Sequence, residues 1–193
     1  MQSSQEVKLP DPMVPAHDEI ENRFYGITTD LVQRASSDGF TQPGNVIAVG
    51  SSIIKLWGNI RNDLAPYKVT NHGFGGSRTW EMLYFAKKLV VDFKPRVVLV
   101  YCGSNDINSD EPAEPIAKRL YVFLDYLSKA LPGVKLVLLS IGKAPQKKHR
   151  WDIVDRANEL CLKWIGTNEN WHWVDVNQDM FDSETGALKK GIF

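Results

Sequence analysis

Two cysteines in 193 residues are too few for a disulfide scaffold. Cys102 ends an apolar, strand-like run and Cys161 falls on an apolar helical face, so both read as reduced core residues of an intracellular protein. An excess of one charge is lacking too: Lys plus Arg and Asp plus Glu number 23 each. Nucleic acid and anionic membranes demand a basic excess, so neither is expected as an obligate partner. No apolar run approaches the roughly 20 residues that span a bilayer. The opening "MQSSQEVKLPDPMVP" has no apolar core of the signal-peptide kind. A cytoplasmic location is therefore the expectation. Internal repeats and low-complexity tracts are absent, and no His, Cys, Asp and Glu spacing suggests a metal site.

What is there is an ordinary globular balance, 43% hydrophobic and 24% charged, at a length suited to one domain. Residues 1–16 hold three prolines and little periodicity, which predicts a mobile lead-in to a single domain over 17–193. Ile20, Phe24, Ile27 and Leu31 step as one helical face does. Five short strand-like runs follow: "VIAV" from Val46, "YKVTN" (67–71), "RVVLVYC" (96–102), "VKLVLLSI" (134–141) and "WHWVDV" (171–176). Between them lie helical stripes: Met82 to Phe93, Ile116 to Leu131 and Ile153 to Trp164. Strands apolar on both faces, separated by amphipathic helices, mean an α/β fold with a parallel sheet covered on both sides. Its site belongs at the carboxyl ends of the strands.

The loops at those ends are small and polar. Gly50-Ser51-Ser52 follows the first strand, "NHGFGGS" (71–77) the second, "GSND" (103–106) the third and "GKAPQKKHRW" (142–151) the fourth. A serine at a strand-to-helix turn presents its hydroxyl and its backbone N–H to the same space, as a nucleophile requires. Gly75-Gly76 lets a backbone N–H approach where a side chain would block it. Asn105 can offer a side-chain N–H. Together these make three donors for an oxyanion.

"VGSSI", "NHGFGGS" and "CGSND" resemble, in order and spacing, the first three sequence blocks of the SGNH (GDSL-like) hydrolases, over roughly residues 45–180. The likeness is to the branch that follows Gly-Ser-Ser-Ile with a Leu-Trp pair, here Leu56-Trp57. The resemblance implies a three-layer α/β/α sandwich with a five-stranded parallel sheet, and hydrolysis of a small-molecule acyl or acetyl ester with no cofactor. It assigns Ser52 as nucleophile and Gly76 and Asn105 as oxyanion donors. Ser51, where many members carry Asp, receives no role. The family's last block, Asp-x-x-His, supplies the general base and its orienting acid, and this sequence contains no Asp-x-x-His. The expectation is a chain that stops short of that block and is nearly inert as an esterase.

Competing readings attach to each residue. Ser52 can be a helix N-cap, Asn105 can cap its loop, and Asp106 reads as a turn anchor. The glycine run can cradle a phosphate, as in flavodoxin-like binding modules. Without the base, the chain can also be a pseudoenzyme that binds acyl ligands. Of the histidines, His17 falls at the edge of the lead-in and His172 inside the fifth strand. His72 is expected near the site and in reach of substrate. His149 lies in a basic loop with Lys147, Lys148 and Arg150, which reads first as a solvated face and secondarily as a substitute base or a substrate contact. Oligomeric state has no signature here.

Overall fold

Short runs of β-branched and apolar residues set the centre of the molecule. Val46–Gly50 forms strand β1 and is buried at every position. Val69–Gly73 (β2), Val97–Tyr101 (β3), Lys135–Leu139 (β4) and Trp171–Val174 (β5) join it. The result is one five-stranded, all-parallel sheet of order β2-β1-β3-β4-β5. The computed structural model describes residues 17–37, 43–182, 184, 185 and 187–189. The lead-in expected at 1–16 lies outside them.

The helices are α1 (His17–Ser37), α2 (Ser52–Leu56), α3 (Ile60–Asp63), α4 (Thr79–Tyr84), α5 (Ala86–Leu89), α6 (Ser104–Asn108), α7 (Ala113–Ala130), α8 (Trp151–Ile165) and α9 (Asn177–Met180). One sheet face packs Ile47, Val49, Val98, Val100, Leu136 and Leu138 against α1, α4, α5, α7 and α8. The opposite face packs Val46, Ala48 and Val69 against Ile54 of α2 and Ile60 of α3. Helices therefore cover both faces, as expected, but unequally. On the second face Val137 and Leu139 are half-buried and Val174 is 45% exposed. No helix among the described residues is long and apolar enough to cross a membrane. Cys102 and Cys161 are buried and unbridged.

Four features differ from the sequence expectation. β2 starts two residues later than "YKVTN" and runs through Gly73, which draws His72 into the strand. The stripe from Met82 to Phe93 is buried throughout, yet it is broken into α4, α5 and a 3-10 turn at Val91–Phe93. In α1 the buried position is Thr28, not Ile27, which is 40% exposed. Thr28 enters the core because its hydroxyl donates back to the Tyr25 carbonyl at 3.1 Å, so no polar group is left unmatched. After β5 the expected loop contains α9 and a small hairpin, bridged at Phe181 and Leu188 and turned on Asp182.

Two glycines give opposite expectations. A Cβ on Gly73 would lie 2.2 Å from the Lys55 backbone nitrogen. Gly73→Ala should therefore lower stability by about 1–3 kcal/mol or more, as overpacking against backbone does. Gly26, inside α1, meets nothing within 4 Å. Gly26→Ala should raise stability by about 0.5–1 kcal/mol. Urea denaturation midpoints check both.

Candidate active site

The site begins with the seat of α2. A Cβ on Gly50 would lie 2.1 Å from the Tyr101 carbonyl oxygen, so only glycine lets β1 end against β3 this closely. The Ser51 N–H donates to that carbonyl at 3.1 Å, and the Gly50 carbonyl accepts from the Phe74 N–H at 2.8 Å. Gly73 lets the backbone of α2 rest on the end of β2. Asn71 then holds it: its Nδ2 donates to the Ile54 carbonyl at 2.6 Å, and its Oδ1 accepts from the Gly73 N–H at 2.9 Å. Ser52 is the first residue of α2, half-buried, at the mouth of a cleft of about 660 Å³. Its N–H belongs to the first turn, where helix donors have no acceptor within the helix. Ser51, the N-cap, is 1% exposed and makes no capping bond through its hydroxyl.

The loop after β2 passes over this serine. A Cβ placed on Gly75 would stand 4.0 Å from the Ser52 Cβ. Gly76 has φ +82°, a left-handed backbone that glycine tolerates. Among the described residues neither Gly75 nor Gly76 has a partner for its N–H. Asn105, on the first turn of α6, lines the same cleft as Ser52. One of its Nδ2 hydrogens goes to the Ser77 carbonyl at 2.9 Å, which fixes the amide and leaves the other hydrogen free.

Two buried carboxylates brace this loop. Asp106 accepts from the Thr79 N–H at 3.0 Å, from the Thr79 hydroxyl at 2.6 Å and from Arg119 at 3.2 Å. Glu81 accepts from the Arg78 N–H at 2.5 Å and faces Arg23 at 3.2 Å. Arg23 also donates to the Gly76 carbonyl at 3.4 Å. Burial pushes the Glu81 carboxyl up to about 7, against the pull of the Arg78 N–H and Arg23. Asp106 is thus a turn anchor, as the sequence reading has it.

The four expected regions do not contribute equally. Ser52, Asn105 and His149 line one cleft; Gly76 is not among its lining residues, and follows Gly75, which approaches Ser52. His72 does not reach it, which corrects the expected substrate contact. It is fully buried inside β2, with Nδ1 donating to the Leu89 carbonyl at 2.6 Å and its ring 4.7 Å from Phe93. Burial lowers its pKa despite that carbonyl, so the imidazole is neutral. His149 is exposed, and its Nε2 accepts from Arg150 Nε at 3.1 Å. His172 is exposed on the edge strand.

The basic loop is not a uniformly solvated face. Lys148 is exposed, but Lys147 turns inward and donates to the Ser104 carbonyl at 2.9 Å and hydroxyl at 2.5 Å. Arg150 reaches the Ile107 carbonyl. Burial first, and Arg150 second, lower the Lys147 pKa. Ile53, Leu139, Val176 and Met180 line the same cleft and make part of it apolar. No group of three or more metal-ligating side chains occurs among the described residues.

Residues 48–193 match the model of the GDSL-like lipase/acylhydrolase family. No curated protein matches the chain. Several solved structures share its fold. A candidate platelet activating factor from Streptococcus pneumonia is 17% identical with a TM-score of 0.69, over 91% of this chain and 86% of that one. A GDSL-like lipase from Bacteroides thetaiotaomicron is 17% identical with a TM-score of 0.63, over 82% and 83%. A carbohydrate esterase family 3 protein from Talaromyces cellulolyticus is 16% identical with a TM-score of 0.54, over 76% and 88%.

The Glu81 environment sets a pH dependence. The folded protein holds this proton more tightly than the unfolded chain, so the stability it contributes is full at low pH. That stability is lost as pH rises from about 4.5 through about 7. Glu81→Gln keeps the shape and cannot ionise. The melting temperature of the native protein, relative to this variant, should fall across that window.

Proposed function

The chain belongs to the GDSL-like lipase/acylhydrolase family, and from that membership we propose that it is a serine ester hydrolase acting through Ser52. The Ser52 Oγ attacks the ester carbonyl carbon. Negative charge moves onto the carbonyl oxygen, where the Ser52 N–H, the Gly76 N–H and the free Asn105 Nδ2–H receive it. The C–O bond to the alcohol breaks and the alcohol leaves with a proton. Water then cleaves the acyl-serine and releases the acid. The observation that carries this reading is the convergence of Ser52 and Asn105 on one cleft, with Gly75, whose N–H has no partner among the described residues, close to Ser52. The substrate class is a small-molecule acyl or acetyl ester, and the steps written here need no cofactor.

A specific observation favours a second reading, a protein that binds acyl ligands without turnover. Among the described residues, no imidazole paired with a carboxylate lines the cleft. His149 does line it, but its Nε2 lone pair is already taken by the Arg150 Nε–H at 3.1 Å. A base for Ser52 must take up a proton, so His149→Ala should leave any turnover intact.

A fluorophosphonate label separates the readings. Peptide mass spectrometry should find it on Ser52, and Ser52→Ala should abolish it. Labelling of Ser51 would overturn the assignment. Ser52-dependent turnover of p-nitrophenyl butyrate favours the hydrolase, while labelling without turnover favours the binding protein. Asn105→Ala should slow any such turnover by about 10²–10³-fold, as loss of one oxyanion donor does. KM should change little, because the bond forms in the transition state. A raised KM at constant kcat would make Asn105 a substrate-positioning residue instead.

A further inference from the structure

The charges around the cleft are one-sided. Lys147 and Arg150 line it, together with His149, and among the described residues no Asp or Glu does, although the chain as a whole carries zero net charge. Arg150 is matched by Asp110 at 2.5 Å, on the outer side, where Asp110 is 80% exposed. Lys147 has no carboxylate partner among the described residues. Its two hydrogen bonds go to the neutral carbonyl and hydroxyl of Ser104. An ammonium carries three donors, so one remains for a ligand. The lysine is also held in place. The Lys147 N–H and the Trp151 indole both donate to the Ala144 carbonyl at 3.0 Å. Trp151 in turn packs its ring 5.5 Å from Phe181.

A half-buried cation beside a second cation is an unfavourable arrangement for an empty cleft and a favourable one for a bound anion. The same cleft is also lined by the apolar Ile53, Leu139, Val176 and Met180. We propose that the cleft selects esters carrying both an apolar segment and an anionic group, and that Lys147 is the specificity-determining residue that receives the anion. This rests on the ester-hydrolase reading for the word ester, but the anion site stands on its own geometry. Burial and Arg150 lower the Lys147 pKa, and a bound anion would restore it.

The test measures binding of inert amides, so it does not depend on turnover. N-methylsuccinamate, which ends in a carboxylate, is compared with neutral N-methylbutyramide by chemical-shift titration of the full chain. The succinamate should bind at least about tenfold more tightly, a factor worth about 1.4 kcal/mol. Added salt should weaken that preference. Lys147→Met keeps the apolar stem and removes the charge, and it should erase the preference while leaving butyramide binding unchanged. Ser52→Ala should keep it. Equal binding of the two amides, binding of neither at the cleft, or a preference that survives Lys147→Met would each overturn the proposal. Anion preference without Ser52-dependent turnover would instead leave this site standing and remove the hydrolase.

Discussion

Backbone contact between α2 and the carboxyl ends of β1 and β2 is the constraint on which the site depends. Gly50 and Gly73 each stand where a Cβ would overlap main-chain atoms, at 2.1 Å and 2.2 Å. Main chain cannot rotate away as a side chain can, so Gly73 sets how deeply α2 sits on β2, and Gly50 sets how closely β1 ends against β3 before α2 begins. That depth puts Ser52 at the rim of the cleft rather than on top of it. It also brings the Phe74 N–H onto the Gly50 carbonyl, which starts the turn carrying Gly75 and Gly76 across the serine. The nucleophile candidate and its candidate oxyanion loop are thus placed by the same pair of close approaches.

Placement alone would leave the loop free to move, and the buried carboxylates answer that. Asp106 ties the start of α4 to α6 and to Arg119 of α7 through four hydrogen bonds. Asp106 is fully buried, and the Arg119 side chain is 5% exposed. Removing one partner of such a pair costs about 3–5 kcal/mol, because it strands the other charge. The residue next to Asn105 is therefore a structural anchor, and Asn105 inherits its rigidity. Glu81 plays the matching part on the α1 side, where Arg23 bridges it to the Gly76 carbonyl. Its raised pKa follows from full burial with partners too few to offset it.

Much of this was legible in the residues. Five apolar runs separated by amphipathic stripes dictate the parallel sheet, and the small polar loops after the first and third strands bring Ser52 and Asn105 to one cleft. The errors have physical causes. His72 was misplaced because β2 is a short run with a threonine and an asparagine inside it, Thr70 and Asn71, so periodicity does not mark its end. A shift of two residues moves His72 from loop to core. Ile27 and Thr28 exchanged roles because a hydroxyl that bonds its own helix behaves as an apolar group. Lys147 was read as solvated because composition reports charge density, not which way a helical turn faces. Its acceptor, the Ser104 carbonyl, lies 43 residues away in sequence. Pairings at that distance leave no local trace.

The strand ends share one further device, and it bears on the charge of the cleft. Asn71 fastens the turn after β2. Asn158 on α8 grips the Ile141 N–H at 2.8 Å and its carbonyl at 3.0 Å. Asn177 accepts from the Lys143 N–H at 2.8 Å and donates to the Ile141 carbonyl at 3.1 Å. An amide carries donor and acceptor together, so it satisfies main-chain groups of both kinds without adding charge. A carboxylate could do only half of this, and it would place a negative field beside the cleft. Asp175, the acid nearest these turns, is spent on Ser140 at 2.8 Å and on the Asn177 N–H at 2.9 Å. With these turns fastened by neutral amides and Arg150 matched on the outer side by Asp110, Lys147 is left among the described residues with only the neutral Ser104 groups as partners. A cleft built this way takes its selectivity from that cation and from the apolar residues that line the same space.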